Sequence, residues 1–423
     1  LINRKMIIND PVHGFIEIPD GILASLVKHP YFIRLNRIEQ LGPTSYVYPG
    51  GRHTRFLHSI GALHLITNAL QTLRSRHCDI APEEALGAQI AMLLHDIGHG
   101  PMSHCLEGMF ISDLTHEDIS LLLMERLNDE FNGKLDIAIS IFKDQYPKHF
   151  LHELICSQLD MDRLDYLCRD SFFTGVREGN IGAERIIKML NVREDRLVVE
   201  SKGIYTIENY LMSRRLMYWQ VYLHKTVLAA RYTLLSALER AKELVSIGHP
   251  IQLGERMEYF LCNNVNKKHI AAHPEAIDTF IMLDDHDIYL ALKEWMTSKD
   301  KVLRTLSQNY INRHLYKTKE LSRPLSASDR KQLEQTAAQC LDIEPRCAHY
   351  FVRPLNVSQM LYSTTDDHIN ILTKENKTRD ISNFSELLHS EMVDRRSERH
   401  YLLYQRDSGI IDNPSVCDIL DKY

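Results

Sequence analysis

No run of apolar residues in this chain approaches the ~18 needed to cross a bilayer, and the stretch through Ala91-Met92-Leu93-Leu94 ends at His95. Nor is there an excess of positive charge. Lys and Arg number 50 against 56 Asp and Glu, a formal charge of −6, so composition does not indicate a nucleic-acid binder, and only a local basic patch would make one. The N-terminus lacks the basic-then-apolar order of a secretory signal, so a cytoplasmic enzyme with no membrane segment is expected. Residues before Met6 read as a processing or cloning remnant. Eight cysteines (78, 105, 156, 168, 262, 340, 347 and 417) include no CxxC pair and no regular spacing. That speaks against a zinc ribbon and a disulfide framework, and for reduced, packed thiols.

What is present is an ordinary globular composition, 44% hydrophobic and 25% charged, which excludes disorder and low complexity. At 423 residues the chain exceeds a typical domain of ~100–200 residues. We see no internal repeat and no linker. The expected organisation is a mainly α fold: a helical core over 1–245 with small β-hairpins, then a mixed α+β lobe over 246–423.

Residues Met6–Ile18, broken by Asn9-Asp10-Pro11 and Gly14, read as a hairpin. Apolar residues at three- and four-residue intervals from Ile22 onward predict helices, followed by runs near His58–His77, Pro82–Asp96 and His116–Phe131. Pro82 with Glu83 and Glu84 is a helix start. Leu151–Asp170 and Thr206–Val245 are further helical stretches, with a hairpin between them turning at Lys202-Gly203. Beyond 250, helices near Pro274–Leu283 and Asp287–Thr297 precede strand-like pieces at Ala348–Arg353, Ile369–Thr373 and His400–Gln405.

Histidine is the unusual count. Of 22, eight lie between His53 and His116, where even spacing would leave about three. The centre of that segment is His95-Asp96-Ile-Gly-His99-Gly-Pro-Met-Ser-His104. A His-Asp pair at a helix end offers an imidazole and a carboxylate within one turn, and the glycines let the backbone approach a ligand. Upstream, Arg55-Phe-Leu-His58 adds a histidine. Downstream, Asp160–Asp170 is rich in carboxylates, with Asp162, Tyr166 and Arg169 on one face and Asp170 beside them. Apolar neighbours suggest partial burial of those acids, which is unfavourable unless a cation sits near. Two histidines and two carboxylates suit a divalent transition metal that polarises water and a phosphoryl group.

The spaced set His58, His95-Asp96 and Asp162, together with Asn9-Asp10-Pro11-Val12-His13-Gly14, Gln40-Leu41-Gly42 and Asp160–Asp170, resembles the HD-domain phosphohydrolases. Within them it resembles the deoxynucleoside triphosphate triphosphohydrolase branch, without the SAM domain of the SAM-and-HD-domain enzymes. The resemblance runs through the first ~240 residues, and it is weaker near Asp287–Lys317.

It implies one divalent metal ion (Mn, Fe, Ni, Zn or Mg) on His58, His95, Asp96 and Asp162. By the same resemblance His99 and His116 handle protons, Glu107 stands where the family often has Asp and holds one of them, and His104 or His116 protonates the leaving oxygen. Arg55, Arg163 and Arg169 would face triphosphate oxygens. Gln40 and Leu41 would crowd the sugar edge, Tyr166 and Asp170 would contact the sugar, and Tyr222 the sugar or base. The implied reaction is attack of water on the α-phosphorus of a dNTP, giving deoxynucleoside and tripolyphosphate.

Lys28, Ile33 and Asn36 match none of the family's guanine-reading regulatory side chains, which leaves nucleotide-triggered tetramer assembly without its sensors. A homo-oligomer, dimer or tetramer, is expected from the apolar stripes. The alternatives are an HD hydrolase of another nucleotide phosphate and a non-catalytic nucleotide-binding regulator.

Overall fold

The computed structural model describes residues 5–363, 368–388 and 396–423; of the expected N-terminal remnant, residues 1–4 lie outside them. The strands Lys5–Asp10 and Gly14–Pro19 pair antiparallel, as expected, and lead into the helix Ile22–Lys28. Behind them stand the helices that build the centre: Arg55–Ser75, Pro82–Leu94, His116–Glu130, Met161–Thr174 and Lys225–Ser246.

Each of these starts on a local signal. Thr54 and Asp160 cap theirs by accepting from Leu57 N and Arg163 N, and Thr115 exchanges bonds with Asp118 in a capping box. The helix Pro82–Leu94 is almost wholly buried from Ala88 to Leu94, which is why it lacks a polar face and why its end can deliver His95 and Asp96 to the interior.

One hydrophobic cluster continues from Ile16 to Leu403, across the expected boundary at 245. A smaller cluster joins Leu321, Leu333, Val352, Leu402 and Val416. It lies against a three-stranded antiparallel sheet in which Arg396–Tyr404 runs between Lys317–Leu321 and Val352–Met360. Another sheet joins Leu190–Arg193, Arg196–Glu200, Asn370–Leu372 and Thr378–Asp380 in that order. Helices dominate, and the fold is mainly α. Among the described residues no helix is long and apolar enough to cross a membrane.

Four local expectations are corrected. Leu151–Asp170 is two helices, His149–Glu153 and Met161–Thr174, because the backbone is extended at buried Asp160, whose side chain caps the second. The hairpin around 196 turns at Glu194-Asp195, both left-handed, which matches the twist of a two-residue loop, while Lys202-Gly203 opens the helix Ile204–Met217. The stretch Thr206–Val245 is interrupted by a wide π-helical turn, Tyr218–Tyr222, a feature that often marks functional sites. The piece expected as a strand over Ala348–Arg353 is mostly the 3₁₀ turn Pro345–Tyr350, and the strand begins at Val352.

Candidate active site

Three helix ends meet beneath one cavity. His58 sits in the first turn of Arg55–Ser75, His95 and Asp96 leave the end of Pro82–Leu94, and Asp162 is in the first turn of Met161–Thr174. One ligand atom each from His58, His95 and Asp162 lie within 4.8 Å of one another. Asp96 flanks them, one oxygen 3.5 Å from His58 Nε2 and the other 3.4 Å from His95 Nε2.

The tautomers follow from the partners. Asp165 accepts from His58 Nδ1 at 2.8 Å, and the Met92 carbonyl accepts from His95 Nδ1 at 2.7 Å. Both protons therefore sit on Nδ1, and both Nε2 lone pairs face inward without a hydrogen-bond partner. His58 Nε2 is 3.0 Å from Asp162 Oδ1, so two electron-rich atoms meet, and that arrangement is favourable only with a cation or proton between them. Burial by itself would lower these imidazoles. Asp162 and Asp165 overcome it and push His58 up to about 10, and Asp96 and Asp162 raise His95. Against burial, the His58 and His95 rings hold the Asp162 carboxyl well below the usual range. This donor set, two imidazoles and two carboxylates around orphaned nitrogens, fits a divalent ion.

Asp165 was not foreseen. It is fully buried and also accepts from His13 Nε2 at 2.7 Å and from the Arg169 guanidinium. Arg169 in turn pairs with Asp10 at 2.7 Å. The expectation that Arg169 faces the triphosphate is therefore corrected: its side chain is fully buried behind His58. Gly61 makes the room, because a Cβ there would stand 2.0 Å from Asp165 Oδ1 and 2.2 Å from Arg169 Nη2. The available signal was Asp165 itself, an acid among Leu164 and Leu167 one turn from Asp162.

A second histidine group adjoins the first. Glu107 accepts from His116 Nδ1 at 2.7 Å and from His104 Nδ1 at 3.1 Å, so the longer acid holds two histidines rather than the single one expected. These bonds keep its carboxyl well below the usual range. His99 stacks on His116, centroids 4.0 Å apart and planes at 16°. Burial first, then Arg55, pushes His99 well down, which keeps it neutral. Gly98 lets this turn rest on the start of the helix His116–Glu130, since a Cβ would fall 2.2 Å from His116 O.

The cavity above both groups measures about 460 Å³, within the range of small-ligand sites. Its lining includes Gln40, Leu41, Arg55, Arg163, Tyr166, Asp170 and Tyr222. Of these, Arg55 is partly committed, holding Asp96 and donating to Ser103 Oγ at 2.7 Å. Asp170 accepts from Tyr222 OH at 2.6 Å and from His53 Nε2 at 2.7 Å, which fixes the Tyr222 ring. Arg163 Nε is tied to Ser157 O at 2.7 Å. Gln40 Oε1 has no partner. Arg231 also lines the cavity and donates to His104 O at 3.0 Å; no local pattern in the sequence marked it. Lys28, Ile33 and Asn36 are exposed.

The chain is similar to known proteins over nearly its whole length. Residues 181–250 match the model of the HD associated region. The uncharacterized protein YwfO of Bacillus subtilis is 30% identical over 423 residues, covering 96% of this chain and 93% of its own. A deoxynucleoside triphosphate triphosphohydrolase SAMHD1 homolog from Dictyostelium discoideum is 29% identical over 334 residues, 74% of this chain and 59% of that protein. A crystal structure of a phosphohydrolase from Bacteroides thetaiotaomicron superposes with a TM-score of 0.92 at 50% identity, over 95% of this chain and 100% of the other. With the His and Asp side chains gathered at one point and relatives that span nearly the whole sequence, the chain belongs to the HD-domain phosphohydrolases and resembles their deoxynucleoside triphosphate triphosphohydrolases.

Proposed function

We propose that the protein hydrolyses deoxynucleoside triphosphates to deoxynucleoside and tripolyphosphate, with a divalent ion on His58, His95, Asp96 and Asp162. The observation that carries this reading is the pair of buried, partnerless Nε2 atoms of His58 and His95 aimed, with Asp162, at one point under a nucleotide-sized cavity. An ion held there supplies a Lewis acid for water and for a phosphoryl oxygen.

The chain's own groups do the rest. Arg163 and the remaining N–H groups of Arg55 meet the phosphate oxygens, where a guanidinium fork stabilises developing negative charge. Glu107 keeps the Nδ1 protons of His104 and His116 in place, so proton exchange with the leaving 5′ oxygen runs through an Nε2 atom, from His116 or His104. His99, buried and neutral, stacks behind His116 and sets its ring plane. Tyr222, anchored by Asp170, and Tyr166 lie against the sugar, and Gln40 and Leu41 crowd its 2′ and 3′ edge.

The test is a screen of dNTPs, rNTPs and nucleoside monophosphates with Mn, Mg, Fe and Ni, read by ion chromatography. Tripolyphosphate from dNTPs is the expected product. Phosphate or pyrophosphate alone would transfer the reading to a hydrolase of another nucleotide phosphate, and no turnover on any nucleotide would favour a binding regulator.

A further inference from the structure

The loop that carries His99 and His104 holds two consecutive non-glycine residues in the left-handed region, Met102 at φ 57° and Ser103 at φ 52°. Outside a hairpin such as the one that turns at Glu194-Asp195, where strand pairing fixes the conformation, such a pair persists where its surroundings over-determine it. Two buried side chains from outside the loop do so. Asp285, first residue of the helix Asp285–Trp295, accepts from Met102 N at 2.6 Å and, with its other oxygen, from Glu39 N at 2.8 Å. Arg34 donates to Ile97 O at 3.0 Å, to His99 O at 2.7 Å and to Ile281 O at 3.1 Å. Ser103 Oγ completes the tie by donating to Glu39 O at 2.8 Å.

Glu39 precedes Gln40 on one wall of the cavity, and Met102 lies two residues before His104 on the other. A single carboxylate thus spans two walls of the site, from a helix some 250 residues away in sequence from one of them. We propose that Asp285 is a positioning residue that sets the separation of Gln40 and His104, making the helix Asp285–Trp295 a structural member of the active site. The proposal rests on the reading of that cavity as the nucleotide site, but the clamp has a readout of its own.

The carboxylate is required because both partners are N–H donors, and both oxygens must accept. Asp285→Asn keeps the shape and turns one acceptor into a donor facing a donor, so one wall is released. The primary test is amide hydrogen exchange on the metal-loaded full chain. Asp285→Asn should raise exchange at least tenfold at 38–41 or 100–104 while the interior of the helix Asp285–Trp295 stays protected. In parallel, kcat for dNTP hydrolysis should fall at least tenfold with bound metal unchanged, and Asp285→Glu should recover part of it.

Leu292→Ala, a core truncation on the same helix, controls for stability. It should lower the melting temperature without the local exchange signature. Unchanged protection in both segments, or exchange rising evenly over the whole chain, overturns the clamp. Local exchange in a protein that turns over no nucleotide would leave the clamp standing and remove the functional reading instead.

Discussion

Around His58 and around His116 the chain uses the same device, a carboxylate on an imidazole Nδ1, and obtains two different sites. Asp165 fixes His58 with its Nε2 toward His95 Nε2 and Asp162, and the lone pairs converge. Glu107 fixes His104 and His116, and ring nitrogens of His99, His104 and His116 also lie within 4.8 Å of one another. There, however, His99 and His116 stack almost parallel. Each lone pair lies in its own ring plane, so two stacked rings cannot both aim at one ion. The first group suits a cation and the second suits protons. The number of histidines is the same kind of signal in both; ring orientation separates them.

The largest effect should come from breaking the first group. His95→Ala or Asp96→Ala is expected to abolish both bound metal, measured by elemental analysis, and tripolyphosphate release. Activity retained in either would contradict the ligand set. Next, Glu107→Gln should leave metal content intact and reduce kcat by about 10²–10⁴-fold, the usual weight of general acid–base catalysis; loss of metal in this variant would merge the two groups into one.

Asp165→Asn sharpens the contrast from the other side. It should weaken metal affinity by about 10–100-fold, measured by competition with a chelating dye. It should also destabilise the fold in chemical denaturation, because Arg169 loses one of its two buried carboxylate partners and keeps only Asp10.

The smallest effect concerns Glu39, beside the wall that carries Gln40. Burial first, then Asp285, pushes its carboxyl up to about 7. The folded state therefore holds a proton that the unfolded chain releases near pH 4.5. Stability should decline as pH rises from about 4.5 to 7, and Glu39→Gln should flatten that decline in melting curves taken across the window. An unchanged slope would assign the decline to other groups.

Much of this was legible locally. The hairpin around Asn9–Gly14, the helix starts at Pro82 and His116, and the grouping of histidines near Gly98 all depend on neighbours within a few residues. The break at Asp160 was missed, although its cap partner Arg163 N is only three residues on, because apolar residues continue on both sides of it through Leu154, Leu159 and Leu164. Arg169 was read on one face with Asp162 and Tyr166, but the cavity follows the side of the helix that carries Asp162, Tyr166 and Asp170. Arg169 leaves the helix toward Arg55–Ser75, thinned at Gly61, where Asp165 and Asp10 from the hairpin claim the guanidinium. Asp285 and Arg231 carried no local mark, since each acts on backbone atoms more than 100 residues away.

Residue identity and spacing by themselves determined that this protein has buried helices ending in histidine and carboxylate, because periodicity and capping are short-range physics. Which imidazole nitrogen is free, which arginine stays at the cavity and which carboxylate lies behind His58 were decided only by the tertiary structure. A lone pair's direction and a charge's partner depend on what is packed against them, and those neighbours come from distant parts of the chain.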